Sequence, residues 1–308
     1  MIANFFSKSK PIHLVIISLV LLVAFVISKL FLTNIPFGFL EFFKQAGIFG
    51  VVLVTVFVFD FVTSKNKLTK KNSFRVLFFT LFMTMIPQTF LDTNLIFANL
   101  FVMFALRRIV SLRTQKEVKK KLFDAAIWIS VATLFYFWSG LFFILIFAAL
   151  FLFRIVNIKD WFIPVLGMLT IAMIAAGFMI IFQINLSEYL WSMPYQISLD
   201  FSTLNKPQII TSATIIIAYF IWSLFYYVRN IKSKSKSYKP SFILILIATI
   251  ISVLILIISP NKTGAEFIFL FVPLSIILTN YFEIINEKWF QEVLVWILLL
   301  TPVVGLIL

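Results

Sequence analysis

Five carboxylates could do chemistry in this chain: Glu41, Asp92, Glu188, Asp200 and Glu266. The hydrophobic runs around them place all five at the same face of a membrane. Lys206 and Lys262 fall beside them. A carboxylate can serve as general base toward an acceptor hydroxyl or help to place a metal, and an ammonium can grip a phosphate. Asp92, at the tip of a short hairpin, and Glu41, alone in its loop, are the candidate catalytic acids. Lys262 and Lys206 are the candidate lipid-phosphate ligands. The competing role for all four is to cap or solubilise loops.

Other chemistries lose their residues. The chain has one histidine, His13, and no cysteine. Zinc, copper and paired-histidine haem sites therefore lack ligands, and no metal or cofactor is expected. His13 sits where the first apolar run begins, which suits a structural role. The eight glycines form no phosphate-binding or nucleophile-elbow pattern, so ATP-driven transport and serine hydrolysis lack their signatures. Acids inside apolar runs would be the default functional signal. Asp60 lies near the end of its run, where an interfacial pair with Lys65 is expected. Asp124 should cap the helix that starts there, and Arg154 should snorkel from the end of its own.

The elements that must position these residues are membrane helices. The chain is 62% hydrophobic and 12% charged, with a mean hydropathy of +1.09; a soluble domain needs far more polar surface. Runs at 12–32, 46–64, 74–90, 94–110, 124–138, 140–157, 161–184, 208–228, 240–259, 266–282 and 290–308 predict about 11 spans in one all-α integral-membrane domain, 1–308. The pairs 74–90/94–110 and 124–138/140–157 are short, the second broken at Trp138-Ser139-Gly140. Short helices that stop partway should pack inside, because lipid-exposed ends leave backbone groups unsatisfied. No soluble extramembrane domain is expected. The segment 185–207, with Tyr189, Trp191 and Tyr195, reads as an amphipathic piece at the interface.

Charge sets the expected orientation. With the N-terminus in the cytoplasm, every Lys and Arg falls on the cytoplasmic side except Lys29, Lys44, Lys206 and Lys262, and the C-terminus is periplasmic. The first run is then a retained helix of a multi-pass inner-membrane protein. This rule accounts for the net charge of +14 without nucleic acid. The basic loop bearing Lys116, Lys119, Lys120 and Lys121 reads as a juxtamembrane helix. It could dock another membrane protein or bind anionic lipid.

The stretches DFVTSKNKLTKKNSF, LRRIVSLRTQKEVKKKLFDAAIW and ATLFYFWSGLFF resemble an uncharacterised integral-membrane family of Bacteroidota-type bacteria. The order of short hairpin, basic loop and broken span also resembles GT-C glycosyltransferases that use polyprenyl-phosphate sugars. NKTGAEFIFLFVPLSIIL is similar to their lipid-phosphate region, with Lys262 at the cationic position. The long first outer loop of those enzymes is replaced here by a short one. The resemblance implies sugar transfer from a polyprenyl phosphate in envelope biogenesis, by an active or inactive scaffold. The alternatives are a non-catalytic subunit of an envelope export or surface-machinery complex and, with less support, a lipid or small-molecule transporter.

Overall fold

The computed structural model describes residues 2–33, 38–185, 188, 195–260 and 262–307, and among these it contains helices and turns but no strand. The helices are α1 (Ile2–Phe6), α2 (Pro11–Leu32), α3 (Phe39–Lys65), α4 (Phe74–Met85), α5 (Thr93–Val110) and α6 (Val118–Phe135). They continue with α7 (Phe143–Leu152), α8 (Ile158–Ile181), α9 (Pro207–Ile231), α10 (Lys239–Ile258), α11 (Ile268–Phe282) and α12 (Lys288–Ile307).

Among the described residues, 8 helices are long and apolar enough to cross a membrane: Pro11–Leu32, Phe39–Lys65, Thr93–Thr114, Ile158–Ile181, Pro207–Ile231, Lys239–Ile258, Ala265–Phe282 and Lys288–Gly305. The expected spans 74–90, 124–138 and 140–157 take other forms. In the first, α4 stops before Pro87, and a 3-10 turn covers Pro87–Phe90. Ile86 adopts φ −122° and ψ 81°, as the steric demand of a following proline requires. In the other two, Tyr136 is extended and a 3-10 segment at Phe137–Phe142 separates α6 from α7. The break falls where Trp138-Ser139-Gly140 marked it.

The chain forms two compact units. One comprises residues 1–96, 200–235 and 262–308; the other comprises 97–199 and 236–261. In the first unit, α11 is buried along its whole length and packs on α4. Helices α2, α3 and α12 also lie against α4, and α9 lies against α11 and α12. The short helix α4 is thus enclosed, as expected of one that cannot span. In the second unit, α6 packs closely on α8, and α10 packs on α7. The contact of α6 with α8 depends on Gly167, where an added Cβ would stand 2.7 Å from Ala126 Cβ. Elsewhere α8 exposes Phe162, Leu166, Met173, Ile174 and Ile180, the surface of a helix bathed in lipid.

Three helices close in the same way. Lys67, Arg154 and Gln183 have φ of 55°, 53° and 53° just past the ends of α3, α7 and α8. The amide after each returns to a carbonyl in the last turn: Leu68 to Thr63, Ile155 to Leu150 and Ile184 to Met179, at 3.0, 3.0 and 2.8 Å. This closure satisfies orphan carbonyls at the helix end. Arg154 is therefore an exposed turn residue beyond α7 and does not snorkel from within a span.

Candidate functional site

Within the first unit the polar residues gather at two ends. One end holds Lys8, Lys10, Lys70, Lys71 and Glu283, brought together by the bonds of Ser73 N–H to Phe6 O and of Lys70 N–H to Glu283 Oε1. His13 lies here, buried, with its Nδ1 hydrogen-bonded to Ser73 Oγ at 2.8 Å and its ring against Phe5 and Phe6. The structural role expected of it fits this setting.

The opposite end holds the candidate acids and cations. The 3-10 turn Pro87–Phe90 packs on the 3-10 turn Ala265–Phe267, which brings Asp92 within electrostatic range of Glu266. Lys29 is within range of both Glu41 and Asp92. Lys262 is 2% exposed, with its ammonium 4.7 Å from the centre of the Phe201 ring and its carbonyl accepting from Thr203 Oγ1. Lys206, exposed, follows in the same turn and precedes α9. Asp92, Glu266, Lys262 and Lys206 thus share one end of the first unit, whereas Glu188 belongs to the second.

Their individual bonds are local. Asp92 Oδ1 accepts the Leu95 N–H at 3.0 Å, which caps the first turn of α5. Glu266 is 3% exposed and folds back on its own turn, accepting the Thr263 and Gly264 amides at 3.1 and 2.9 Å. Glu41 lies in the first turn of α3, not in a loop as expected. It accepts from Gln45 Nε2 at 2.5 Å and pairs with Lys44 at 3.6 Å. Asp200 is exposed and accepts the Ser202 N–H at 2.9 Å. That bond, aided by Lys262, holds its carboxyl below the usual carboxylate range. Glu188 takes a bond from Asn185 Nδ2 at 3.3 Å, while Tyr189 and Trp191 lie outside the described residues and Tyr195 is exposed.

The basic loop divides. Lys116, Lys119 and Lys120 are exposed. Lys121 turns inward and donates to Ser111 O at 2.8 Å and to Thr114 Oγ1 at 2.7 Å. A 3-10 turn at Ser111–Thr114 precedes the helix, and Gln115 and Glu117 have φ of 54° and 50°. The continuous basic helix expected here thus begins only at Val118. Asp124, expected to cap a helix, lies nearly two turns inside α6 and pairs with Arg108 at 2.8 Å.

Asp60 also has a different partner from the one expected. Its carboxylate is bound by Arg75 at 2.8 Å, while the Lys65 ammonium lies over the Phe61 ring at 5.1 Å. Arg75 reaches back from the first turn of α4, and no sequence spacing within α3 could have indicated it. Glu283, just past α11, makes a second contact with the turn before α4. It takes bonds from Lys70 N and Asn72 Nδ2, each at 2.6 Å. Burial pushes its carboxyl above the usual range, against the pull of these bonds.

No group of three or more His, Cys, Asp or Glu side chains capable of holding a metal occurs among the described residues. No curated protein and no solved structure matches the chain, so the resemblance to GT-C glycosyltransferases has no support from known proteins. Residues 1–305 match the family of unknown function DUF6427, and the chain belongs to that family.

Proposed function

We propose that this protein is a non-catalytic integral-membrane subunit of a cell-envelope assembly. Its apolar helices hold it in the bacterial inner membrane, and the exposed Lys116, Lys119 and Lys120 dock the acidic surface of a partner. One observation carries the reading. The acids that a transferase would use are committed to local structure: Asp92 caps α5, Glu266 closes its own turn, and Glu41 is paired within α3. A general base must reach a substrate proton, and part of the acceptor capacity of these carboxylates is used by their own chain.

A second reading is sugar transfer from a polyprenyl phosphate by a GT-C-like scaffold. It is favoured by the gathering of Asp92, Glu266, Lys262 and Lys206 at one end of one unit. Asp92 or Glu41 would be the base, and Lys262 or Lys206 would bind the lipid phosphate. Transport has less support, because no charged side chain lies at the centre of a candidate span among the described residues.

Complementation of a deletion strain separates the readings. The subunit reading expects Asp92→Asn, Glu41→Gln and Lys262→Met to restore envelope integrity fully. It expects joint neutralisation of Lys116, Lys119 and Lys120 to glutamine to fail at equal protein abundance. The opposite pattern supports the transferase and sinks the subunit.

A further inference from the structure

A furrow crosses the outer surface of the first unit. Its walls are α2 and α12, and its floor is α4. Near α1 it is lined by Phe5, Ile16, Val20, Leu77 and Leu299, and this part encloses about 400 Å³. A second part of about 400 Å³ continues it toward Pro87 and Gln208, and the two share Val20, Leu81 and Leu299. From Ile16 to Ile27 the furrow follows α2 for three turns, roughly 17 Å at about 1.5 Å per residue. That is close to the thickness of one leaflet, half of a hydrocarbon core of about 30 Å.

Three exposed lysines lie near the end at α1. Phe5 and Phe6 line the furrow, and Lys8 and Lys10 follow them in the turn to α2, both exposed. Ser73 joins this turn through the bonds of its amide to Phe6 O and of its hydroxyl to Lys8 O, which brings the exposed Lys71 to the same place. The nearby Glu292 carboxylate is occupied by the Ile2 and Ala3 amides at 2.6 and 2.9 Å. An apolar slot about one leaflet long, with three exposed lysines on the segments next to one end, matches a lipid with one negative headgroup.

We propose that this furrow holds one acyl chain of an anionic glycerophospholipid whose phosphate is bound by Lys8, Lys10 and Lys71. The chain supplies the apolar atoms that the slot lacks, and the three lysines select the headgroup. At about fivefold per cation near a membrane surface, the preference over a zwitterionic lipid is on the order of a hundredfold. The inference is independent of either reading of function, because it uses neither the 116–120 loop nor the acidic end.

Native mass spectrometry of the purified full-length protein, titrated with phosphatidylglycerol or phosphatidylcholine in detergent, tests it. The wild type should retain one phosphatidylglycerol with a preference of about a hundredfold. Joint replacement of Lys8, Lys10 and Lys71 by glutamine should reduce that preference to near unity. Val20→Trp or Leu299→Trp, which fill the slot from opposite walls, should each abolish retention, while Val15→Trp, an exposed site on α2 that lines neither part, should not. Equal retention of both lipids by the wild type overturns the proposal. So does unchanged phosphatidylglycerol retention in both slot-filling variants.

Discussion

Arg75 and Asp60 meet at 2.8 Å, and this contact ties the start of α4 to the end of α3. The guanidinium is 2% exposed. Its Nε donates to Asp60 at 2.9 Å, Nη1 to Thr69 Oγ1 and Lys70 O at 3.0 and 3.2 Å, and Nη2 to Ser64 Oγ at 2.6 Å. Each nitrogen of the fork has at least one acceptor. The whole connection from Ser64 to Lys70 is therefore folded around one side chain.

Removing that side chain should be costly. Arg75→Met strips the partner from a partly covered carboxylate and leaves the loop acceptors unmet, at about 3 kcal/mol. Arg75→Lys should recover less than half of this, because an ammonium cannot form the fork. Thermal unfolding of the purified variants in detergent checks both values. A loss below about 1 kcal/mol for Arg75→Met would show that the loop holds without it.

The second clamp at this end should respond to pH. Glu283 binds Lys70 N and Asn72 Nδ2, and burial raises its carboxyl above the ordinary glutamate value. A raised folded-state value means that the folded chain binds the proton more tightly than the unfolded chain. The stability from this group is therefore full below the unfolded value and declines as pH rises through the folded one. Glu283→Gln should remove that decline, so that the stability difference between variant and wild type grows from acid to neutral pH. Unfolding midpoints measured across that range would refute the idea if the difference stayed constant.

Two glycines of α8 should behave oppositely. Gly167 faces α6, where a Cβ would meet Ala126 Cβ at 2.7 Å and Phe123 O at 3.1 Å. Gly167→Ala must push the helices apart, at about 1–3 kcal/mol. Gly177 has nothing within 4 Å of its added Cβ. Gly177→Ala should be neutral or stabilising by less than about 1 kcal/mol, through helix propensity. Parallel melts of the two variants read this directly.

The turn beneath Glu266 requires a different test. Gly264 has φ +93°, and an added Cβ would find only ordinary contacts at 3.5 Å or more. The penalty for Gly264→Ala is therefore backbone strain alone, about 1–2 kcal/mol. Gly264→Asn should cost less, since asparagine tolerates positive φ better. Equal losses for the two would point to a steric cause instead.

The sequence by itself determined that this is a helical protein suited to a bilayer. A continuous apolar composition offers no other way to satisfy the backbone. It also placed a break at Trp138-Ser139-Gly140, whereas the run 74–90, counted as a span, ends its helix before Pro87. These features depend on local chemistry: hydropathy over a window, and the steric demands of proline. Partners were another matter. Asp60 and Arg75 are separated by a loop, Asn72 and Glu283 by most of the chain, and Lys121 differs from Lys120 only in which way its position on α6 faces. Only the packing of α4 on α11 and the turn at Ser111–Thr114 decided those contacts, because pairing energy depends on distances in space that one-dimensional spacing does not contain.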